Sequence, residues 1–308
     1  MRTQRNDAWK RWAVFVAVAA ALCMLLWAGW TLLKDSHVID HVSSIQSDTA
    51  VTIGVPDAPS SIDIRTDDNP AIEQALLGNV YETLVSRGQD NSLTAGLAKQ
   101  WDVSEDGLSY TFTLQSGLRF SNGHALDSSD VVWSLQQAVQ QQYVGSEALD
   151  HLAEVANPDK DTVTITLSSP DPTLPRTLAG RAGIVYDEDA SIDYARQALG
   201  SGPFTVSEFR QSVSIALRGN DSYWGQAPAS SQITLRYFAD ESSMVEALRN
   251  GEIDMALPLS AATAQSLSED PTLMVATGES LNKTTLVFNN DADSILSDSQ
   301  MRQAIRYL

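Results

Sequence analysis

The amino-acid sequence predicts a mixed α/β fold that follows an N-terminal transmembrane helix. Short segments alternate apolar and polar residues, which is the pattern of a strand with one buried face. Residues 233–257 have the pattern of a strand, a helix and a second strand, an order that connects parallel strands. Residues 12–33 carry no charge, and a helix rising about 1.5 Å per residue over this stretch is long enough to cross a bilayer.

Residues 1–49 are predicted to attach a folded part to the membrane. The flank 1–11 is basic, so it is expected to stay in the cytoplasm while the rest of the chain lies outside. Residues 34–49 are polar and serine-rich, which is typical of a linker. A cleaved signal peptide is the alternative interpretation of residues 12–33. Cys23 is the only cysteine, so the chain forms no intrachain disulfide.

Length and charge limit the class of protein. The chain has 308 residues, which suits one large domain or two ordinary ones, and a formal net charge of −19 at pH 7. Because a strongly acidic surface repels nucleic acids and anionic lipids, neither is expected as a partner.

The first elements of the folded part are a strand and a helix. The strand is "VTIGV" at residues 51–55, followed by an irregular stretch rich in proline, aspartate and serine. Residues 71–87 then place apolar side chains near helical spacing, which predicts a helix. The apolar positions of this predicted helix are Ile72, Ala75, Leu76, Val80 and Leu84.

The stretch "DGLSYTFTLQSGLRFSNGHALDSSDVVWSL" predicts a strand, two turns and the start of a helix. Tyr110, Phe112 and Leu114 alternate with polar residues, so their side chains are expected to face the core. Asp127 is placed to cap the helix, with Asp130 three residues later as an acidic form of the capping box.

Two further strands and a crossover unit follow. The segments "DTVTITLSSPDP" and "SVSIALRGNDSYWG" alternate in the same way. Their inward positions are Val163, Ile165 and Leu167 in the first, and Val213, Ile215 and Leu217 in the second. In the crossover unit, Asp240 is predicted to cap the helix and Gly251 to adopt a left-handed conformation after its end. The inner face of that helix is predicted from Met244, Val245 and Leu248.

The last segment, "SDSQMRQAIRYL", predicts an amphipathic helix that is capped at Ser297 or Asp298. Met301, Ala304, Ile305 and Leu308 share one face of it. Since an apolar face needs a partner surface, the chain is expected to be the N-terminal portion of a longer protein.

The sequence contains no motif that predicts catalysis. G-x-S-x-G, H-E-x-x-H, C-x-x-C and the P-loop are absent, and "GSGPF" at Gly200 predicts a turn. His37 and His41 lie in the linker without a third metal ligand. The acidic cluster around Asp187, "YDEDASID", is expected to be the solvated entry to a helix. We therefore predict no enzyme, catalytic residue, metal site or cofactor, and a hydrolase is the least favoured class.

Several segments, in their order along the chain, resemble the family 5 extracellular solute-binding proteins, which are the oligopeptide, dipeptide and nickel receptors of ABC importers. They extend from about Thr52 to the end. They are "SSID", "VYETLV", "LAKQWDVSEDGLSYTFTLQSGLRFSNGHALDSSDVVWSL", "TVTITLSSPDP", "GSGPFTVSEF" with "LRGNDSYWG", "NGEIDMAL", and "VFNN" followed by "SDSQMRQAI".

The resemblance implies a periplasmic-binding-protein-like fold of type II, with two lobes around a ligand-closing cleft. Residues 65–193 are expected to form the signature-bearing subdomain of the first lobe. Residues 50–64 and 194–277 are expected to form its hinged sheet subdomain. Residues 278–308 are expected to contain the crossover and only the start of the second lobe.

The resemblance also implies a ligand site in the cleft. In peptide-binding members, a loop soon after the "SSID" segment and an aromatic side chain approach the peptide, and segments near the crossover face the cleft. The residues implied are Asp67, Asp68 and Asn69 in the loop, Tyr143 as the aromatic residue, and Pro258, Leu259 and Glu279 near the crossover.

The implied function is that of an extracytoplasmic substrate-binding protein of an ABC importer, which captures short peptides for a membrane permease. Its expected location is the outer face of the bacterial cytoplasmic membrane, held by the N-terminal helix, or the periplasm or medium after signal cleavage. One alternative keeps the fold but binds a metal chelate, a sugar or a siderophore. Another is a truncated surface module that is not a receptor.

Overall fold

The computed structural model describes residues 50–305 except 89, 279–288, 290 and 292. The predicted anchor at 12–33, the linker at 34–49 and Glu279 lie outside the described residues. Across the part of the chain that is described, no helix combines the length and the apolar character that a bilayer crossing requires.

The described chain is a mixed α/β fold, as predicted. The strands are β1 (Ala50–Val55), β2 (Val85–Arg87), β3 (Leu93–Ala95), β4 (Ala98–Val103), β5 (Ser109–Leu114), β6 (Leu152–Asp159), β7 (Thr162–Leu167), β8 (Phe204–Arg210), β9 (Ser214–Gly219), β10 (Gln232–Tyr237) and β11 (Met255–Ala256). The helices are α1 (Pro70–Leu76), α2 (Ser128–Gln140), α3 (Leu174–Thr177), α4 (Glu241–Arg249), α5 (Ala261–Leu267) and α6 (Ser299–Ile305). The described residues up to Pro258 form one compact unit, and the described residues from Leu259 form a second.

A five-stranded mixed sheet has the strand order β11-β1-β10-β9-β8. Strand β1 is parallel to both β10 and β11, whereas β10, β9 and β8 are antiparallel. The predicted strand–helix–strand unit is therefore confirmed in its elements, but its two strands flank β1 and do not pair with each other. The identity of the neighbouring strand depends on a long-range pairing that local periodicity does not contain.

Helix α4 has the predicted ends and a slightly different inner face. The Asp240 side chain accepts a hydrogen bond from the Ser243 amide at 2.8 Å, and Gly251 has a φ of 71°. The side chains buried along α4 are Met244 and Ala247. Met244 was predicted, Ala247 was not, and the predicted Val245 and Leu248 are only half-buried.

A four-stranded antiparallel sheet, in the order β4-β5-β7-β6, contains two of the strands predicted from alternation, β5 and β7. Strand β5 buries Tyr110, Phe112 and Leu114, as predicted. The capping box of α2 is also present, since Asp127 accepts from the Ser129 amide at 2.8 Å and Asp130 accepts from the Asp127 amide at 3.0 Å.

The helix predicted through Leu84 ends earlier, at Leu76. Gly78 has a φ of 75°, which takes the backbone out of the helical region just after the end of α1. Val80 and Leu84 are still buried, so the apolar pattern was correct about burial and wrong about conformation.

Strand β9 departs from strict alternation. Val213 is exposed because it precedes the strand in the turn closed by its amide on the Arg210 carbonyl. Ile215, Ala216 and Leu217 are all buried, so both faces of β9 are covered there.

The "GSGPF" segment is a turn, as predicted, with a specific packing reason. A Cβ atom on Gly200 would lie 2.1 Å from the Val80 carbonyl oxygen, and one on Gly202 would lie 2.5 Å from that of Asn79. Only glycine allows these two backbone segments to approach so closely.

Two hydrophobic cores lie in the unit that ends at Pro258. One is built around the four-stranded sheet, α2 and Phe112. The other joins the five-stranded sheet to α1 and contains Tyr81, Tyr186 and Tyr194.

In the second unit, α6 confirms the predicted helix, but Met301 and Ala304 of its predicted apolar face are exposed, and Leu308 lies outside the described residues. The Asp298 carboxylate accepts from the Gln300 amide at 2.8 Å.

Candidate functional site

Residues 63–69, which contain the predicted loop residues Asp67, Asp68 and Asn69, are folded by their own side chains. The Asp63 carboxylate accepts from the Arg65 amide at 3.1 Å and forms two 2.8 Å contacts with the Arg65 guanidinium. Asp67 accepts from the Asn69 amide at 3.0 Å. Asn69 in turn caps α1 by accepting from the Ala71 amide at 2.9 Å. These local carboxylate and amide turns are typical of aspartate and asparagine, and they leave Asp68 exposed.

Arg65 connects this loop to Tyr143. The Arg65 guanidinium carbon lies 3.6 Å from the centre of the Tyr194 ring and 5.5 Å from that of Tyr143, both within cation–π range. The Val144 amide donates to the Arg65 carbonyl at 2.8 Å. The structure therefore brings Tyr143 beside the loop that contains Asp67, Asp68 and Asn69.

The surroundings of Arg65 keep its guanidinium protonated. Burial by itself lowers the pKa of a guanidinium, but the hydrogen bond and charge of Asp63 outweigh this effect and raise the pKa of Arg65. The guanidinium thus remains a permanent cation between the carboxylate of Asp63 and the aromatic rings.

Four tyrosine side chains, those of Tyr81, Tyr143, Tyr186 and Tyr194, pack together next to Arg65. Tyr186 is buried, and its ring centre lies 5.3 Å from that of Tyr81 and 6.1 Å from those of Tyr143 and Tyr194. Burial raises the pKa of Tyr186 well above its usual value, so the phenol stays neutral. Tyr143 lies half-buried at the edge of this cluster. Tyr81, Tyr186 and Tyr194 are buried, so Tyr143 is the part of the cluster that is accessible beside the carboxylate-bearing loop.

Arg181 holds the same loop from outside it. Its guanidinium donates to the backbone carbonyls of Ile64, Asp67 and Asn69 and to the carboxylate of Glu73. Neither Arg65 nor Arg181 was predicted as a site residue. The contacts of Arg181 with the loop span more than a hundred positions, and a single sequence carries no signal for such a pairing.

Glu82 joins three of the segments that carried the resemblance. Its carboxylate accepts from the Trp224 indole at 2.8 Å, the Ser201 hydroxyl at 2.8 Å and the Tyr223 hydroxyl at 3.1 Å. The segments "VYETLV", "GSGPF" and "NDSYWG" thus meet at one carboxylate. Burial raises the pKa of Glu82, and the three hydrogen bonds offset only part of that effect.

The prediction of a solvated helix entry around Asp187 is confirmed only in part: Glu188, Asp189 and Asp193 are exposed, whereas Asp187 is buried and no helix lies within residues 187–203. Asp187 is only 2% exposed, and its carboxylate accepts from the Asn122 amide group at 2.7 Å. The same carboxylate oxygen lies 2.9 Å from the His124 ring nitrogen Nδ1. Asp187 is buried because the turn of residues 121–124 folds over it, and that contact spans more than sixty positions.

Three predicted site residues remain, all near the expected crossover. Pro258 is exposed at the end of the first unit, Leu259 begins the second unit, and Glu279 lies outside the described residues. Within the residues described, no group of three or more histidine, cysteine, aspartate or glutamate side chains is arranged to hold a metal ion. A surface recess of about 430 Å³ lies elsewhere, between Ser121, Gln197 and strand β8.

Residues 92–308 match the family model described as bacterial extracellular solute-binding proteins, family 5 Middle. The nickel-binding periplasmic protein of Escherichia coli K12 is 27% identical over 242 residues, which are 74% of this chain and 46% of that protein. The probable D,D-dipeptide-binding periplasmic protein DdpA of the same organism is 26% identical over 284 residues, which are 89% of this chain and 53% of that protein. The chain therefore spans about half the length of these relatives.

Solved structures show the same fold. The nickel ABC transporter protein from Bacillus halodurans superposes with a TM-score of 0.65 at 25% identity, over 72% of this chain and 46% of that one. The periplasmic binding protein DppA from Helicobacter pylori, in complex with the peptide STSA, superposes with a TM-score of 0.65 at 24% identity, over 72% and 49%. These similarities confirm the predicted periplasmic-binding-protein-like fold, and the relatives are named as binding proteins and transporter components rather than as enzymes.

Proposed function

Because this chain belongs to the bacterial extracellular solute-binding proteins of family 5, we propose that it contributes to the capture of short peptides outside the cytoplasm and to their delivery to an ABC permease. The proposed ligand contacts are the loop residues Asp67, Asp68 and Asn69 together with Tyr143. Pro258, Leu259 and Glu279 are proposed to approach the ligand from the crossover.

One observation carries the proposal. The guanidinium of Arg65 brings the half-buried ring of Tyr143 next to a loop that exposes the side chain of Asp68. Ligand sites of this kind combine an apolar surface with a few polar groups that set orientation. A peptide offers both an apolar side chain for the ring and a polar backbone for the loop.

A non-peptide solute is the second candidate function. It is favoured by the nickel-binding relative of Escherichia coli, which is as similar in sequence as the dipeptide-binding one. The two candidate functions assume the same fold and differ in the ligand that the loop and Tyr143 bind.

Hydrogen–deuterium exchange of the chain with different probes separates the candidates. A millimolar mixture of di- to pentapeptides is expected to slow amide exchange in fragments that contain residues 63–69 and 143–146. Millimolar probe is needed because association costs about 4–15 kcal/mol of lost freedom, and one lobe contacts a ligand on one side only. Asp68→Ala is expected to weaken this protection about threefold to tenfold, since it removes one polar contact.

Asp102→Ala is the matched control, because Asp102 is exposed on strand β4 of the four-stranded sheet. It is expected to leave the protection unchanged. Protection by a nickel–histidine complex and not by peptides would replace the peptide assignment with the non-peptide one. Protection by none of the probes would favour a surface module over a receptor.

We further propose that residues 12–33 anchor the protein to the outer face of the bacterial cytoplasmic membrane. The uncharged run and its basic flank support this placement. In fractionated bacteria that express the chain, the protein is expected in the membrane pellet with its N-terminal residues intact. A soluble product whose N-terminus begins after residue 33 would instead establish a cleaved signal peptide.

The division into lobes is likewise a proposal. Residues 50–64 and 194–277 are proposed as the hinged sheet subdomain, and residues 65–193 as the signature-bearing subdomain. Residues 278–308 are proposed as the beginning of the second lobe. The core around the four-stranded sheet supports the first division, because its buried residues lie within 65–193. The core of the five-stranded sheet crosses the proposed boundary, since it also contains Ile72, Tyr81 and Tyr186.

A further inference from the structure

Most of the hydrogen-bond donors of the Arg181 guanidinium are directed at one short segment of the chain. It donates to the Asp67 carbonyl at 2.7 Å, the Asn69 carbonyl at 3.1 Å and the Ile64 carbonyl at 3.4 Å. Its Nε donates to the Glu73 carboxylate at 3.0 Å. Four of the guanidinium donors are therefore directed at residues 64–73, and the side chain is only 6% exposed.

These bonds join a loop to the helix that follows it. Three backbone carbonyls of residues 64–69 converge on this one cation. Hydrogen bonds from a charged donor are stronger than neutral ones, and the planar fork of arginine contacts several acceptors in fixed directions. Because Glu73 lies in the first turn of α1, the same guanidinium fixes the loop relative to that helix.

Arg181 is itself held in a rigid position. It begins the 3₁₀ turn Arg181–Gly183. A Cβ on Gly183 would lie only 1.9 Å from the Leu178 carbonyl oxygen, so the backbone of this turn packs tightly against the end of α3. The Leu84 amide donates to the Gly183 carbonyl at 3.0 Å, which ties the turn to the core of the unit. A rigid turn therefore presents the guanidinium to the loop.

We propose that Arg181 is a positioning residue, which fixes the backbone of residues 64–69 so that Asp67, Asp68 and Asn69 meet the ligand in one arrangement. The inference rests on the proposed function, because it assigns the purpose of the loop to ligand binding. Arg181 acts through the loop and not on the ligand, since its donors are occupied by protein oxygens. Arg65 fastens the loop independently, from within it, through Asp63 and Tyr194.

Exchange of the loop amides without ligand tests the first half of the proposal. The amides of Thr66 and Asp67 donate to the Asp63 carbonyl, so their exchange reports the order of the loop. Arg181→Lys keeps the positive charge but loses the planar guanidinium with its several donors. In this variant the two amides are expected to exchange about tenfold faster, which corresponds to about 1.4 kcal/mol in the free energy of local opening. Amides of strands β5 and β7 are expected to be unaffected.

Glu73→Gln is the matched control. It keeps an oxygen acceptor for the Arg181 Nε and leaves the three carbonyl contacts intact, so loop exchange is expected to stay within about twofold of the wild type, or about 0.4 kcal/mol. As a second variant, Arg181→Ala is measured with and without millimolar guanidinium ion. Guanidinium is expected to restore part of the loop protection, and the same concentration of sodium ion is not.

Peptide affinity tests the second half. With the di- to pentapeptide mixture as probe, Arg181→Lys is expected to bind about tenfold more weakly than wild type, and Glu73→Gln equally well. Unchanged loop exchange in Arg181→Lys overturns the proposal whatever the probes do. Faster loop exchange with unchanged affinity also overturns it, because binding then does not use the order of the loop. If no probe binds the wild-type chain, the proposed function fails, and the exchange result alone decides whether Arg181 holds the loop.

Discussion

Replacing Glu82 with alanine is expected to lower the free energy of unfolding by about 2–4 kcal/mol at neutral pH. The substitution removes the acceptor that the Trp224 indole, the Ser201 hydroxyl and the Tyr223 hydroxyl share. The indole N–H is a donor only, so it is left without a partner in a partly buried place. Chemical denaturation followed by circular dichroism measures the change.

Two further variants make the Glu82 result specific. Glu82→Gln keeps an oxygen for the indole and is expected to cost less than alanine does. Glu208→Ala removes a carboxylate whose partner Arg210 is exposed, and it is expected to change stability by less than about 1 kcal/mol. Equal losses in Glu82→Ala and Glu208→Ala would contradict a structural role for the shared carboxylate.

Comparison of the wild type with Glu82→Gln is also expected to show a pH dependence of stability. Burial raises the pKa of Glu82 in the folded chain, so its contribution to stability is complete below its unfolded pKa of about 4.3 and is lost as pH rises through the folded pKa. Glutamine does not titrate. The stability of the wild type relative to Glu82→Gln is therefore expected to fall as pH rises from about 4 through the folded pKa. A difference that rises with pH would contradict the raised pKa.

Phe112→Ala is expected to destabilise the protein by about 3–5 kcal/mol, because it leaves a cavity in the core of the four-stranded sheet. Phe112 is fully buried, its ring stacks 6.4 Å from those of Trp101 and Tyr110, and its strand pairs on both sides. Partial collapse of these aromatic neighbours would place the cost at the lower end of the range. Urea denaturation measures it.

Thr113→Ala is the control for Phe112→Ala. Thr113 is adjacent on strand β5 but points to the opposite, half-buried face. It is expected to cost less than about 1 kcal/mol. Similar losses for the two variants would show that the strand has no preferred buried face.

Local patterns in the sequence were sufficient for much of the fold. The alternation in "SYTFTL" predicted which side chains of β5 are buried, because successive side chains of any strand point to opposite faces. The caps of α2 and α4 were predicted from Asp127 and Asp240, since a capping bond joins residues two or three positions apart. Burial of Val80 was predicted as well, although its helical conformation was wrong.

The candidate site was predicted in part. Asp67, Asp68, Asn69 and Tyr143 came from the resemblance to a family, and the structure places the tyrosine beside the loop. Arg65 and Arg181, which make that placement, were missed. An arginine on the surface and an arginine that holds a loop look the same in one sequence, because the difference lies in the oxygens that surround the side chain.

The sequence by itself determined the alternating strands, the capped helices, the acidic charge and the family, because each depends on neighbouring residues or on the order of segments. Only the tertiary structure decided that β1 inserts between β10 and β11, that Asp187 is buried beneath residues 121–124, and that Glu82 joins three distant segments. The physical reason is the same in each case. A hydrogen bond or strand pair between positions far apart in the chain is set by how the whole chain packs, and no local period records it.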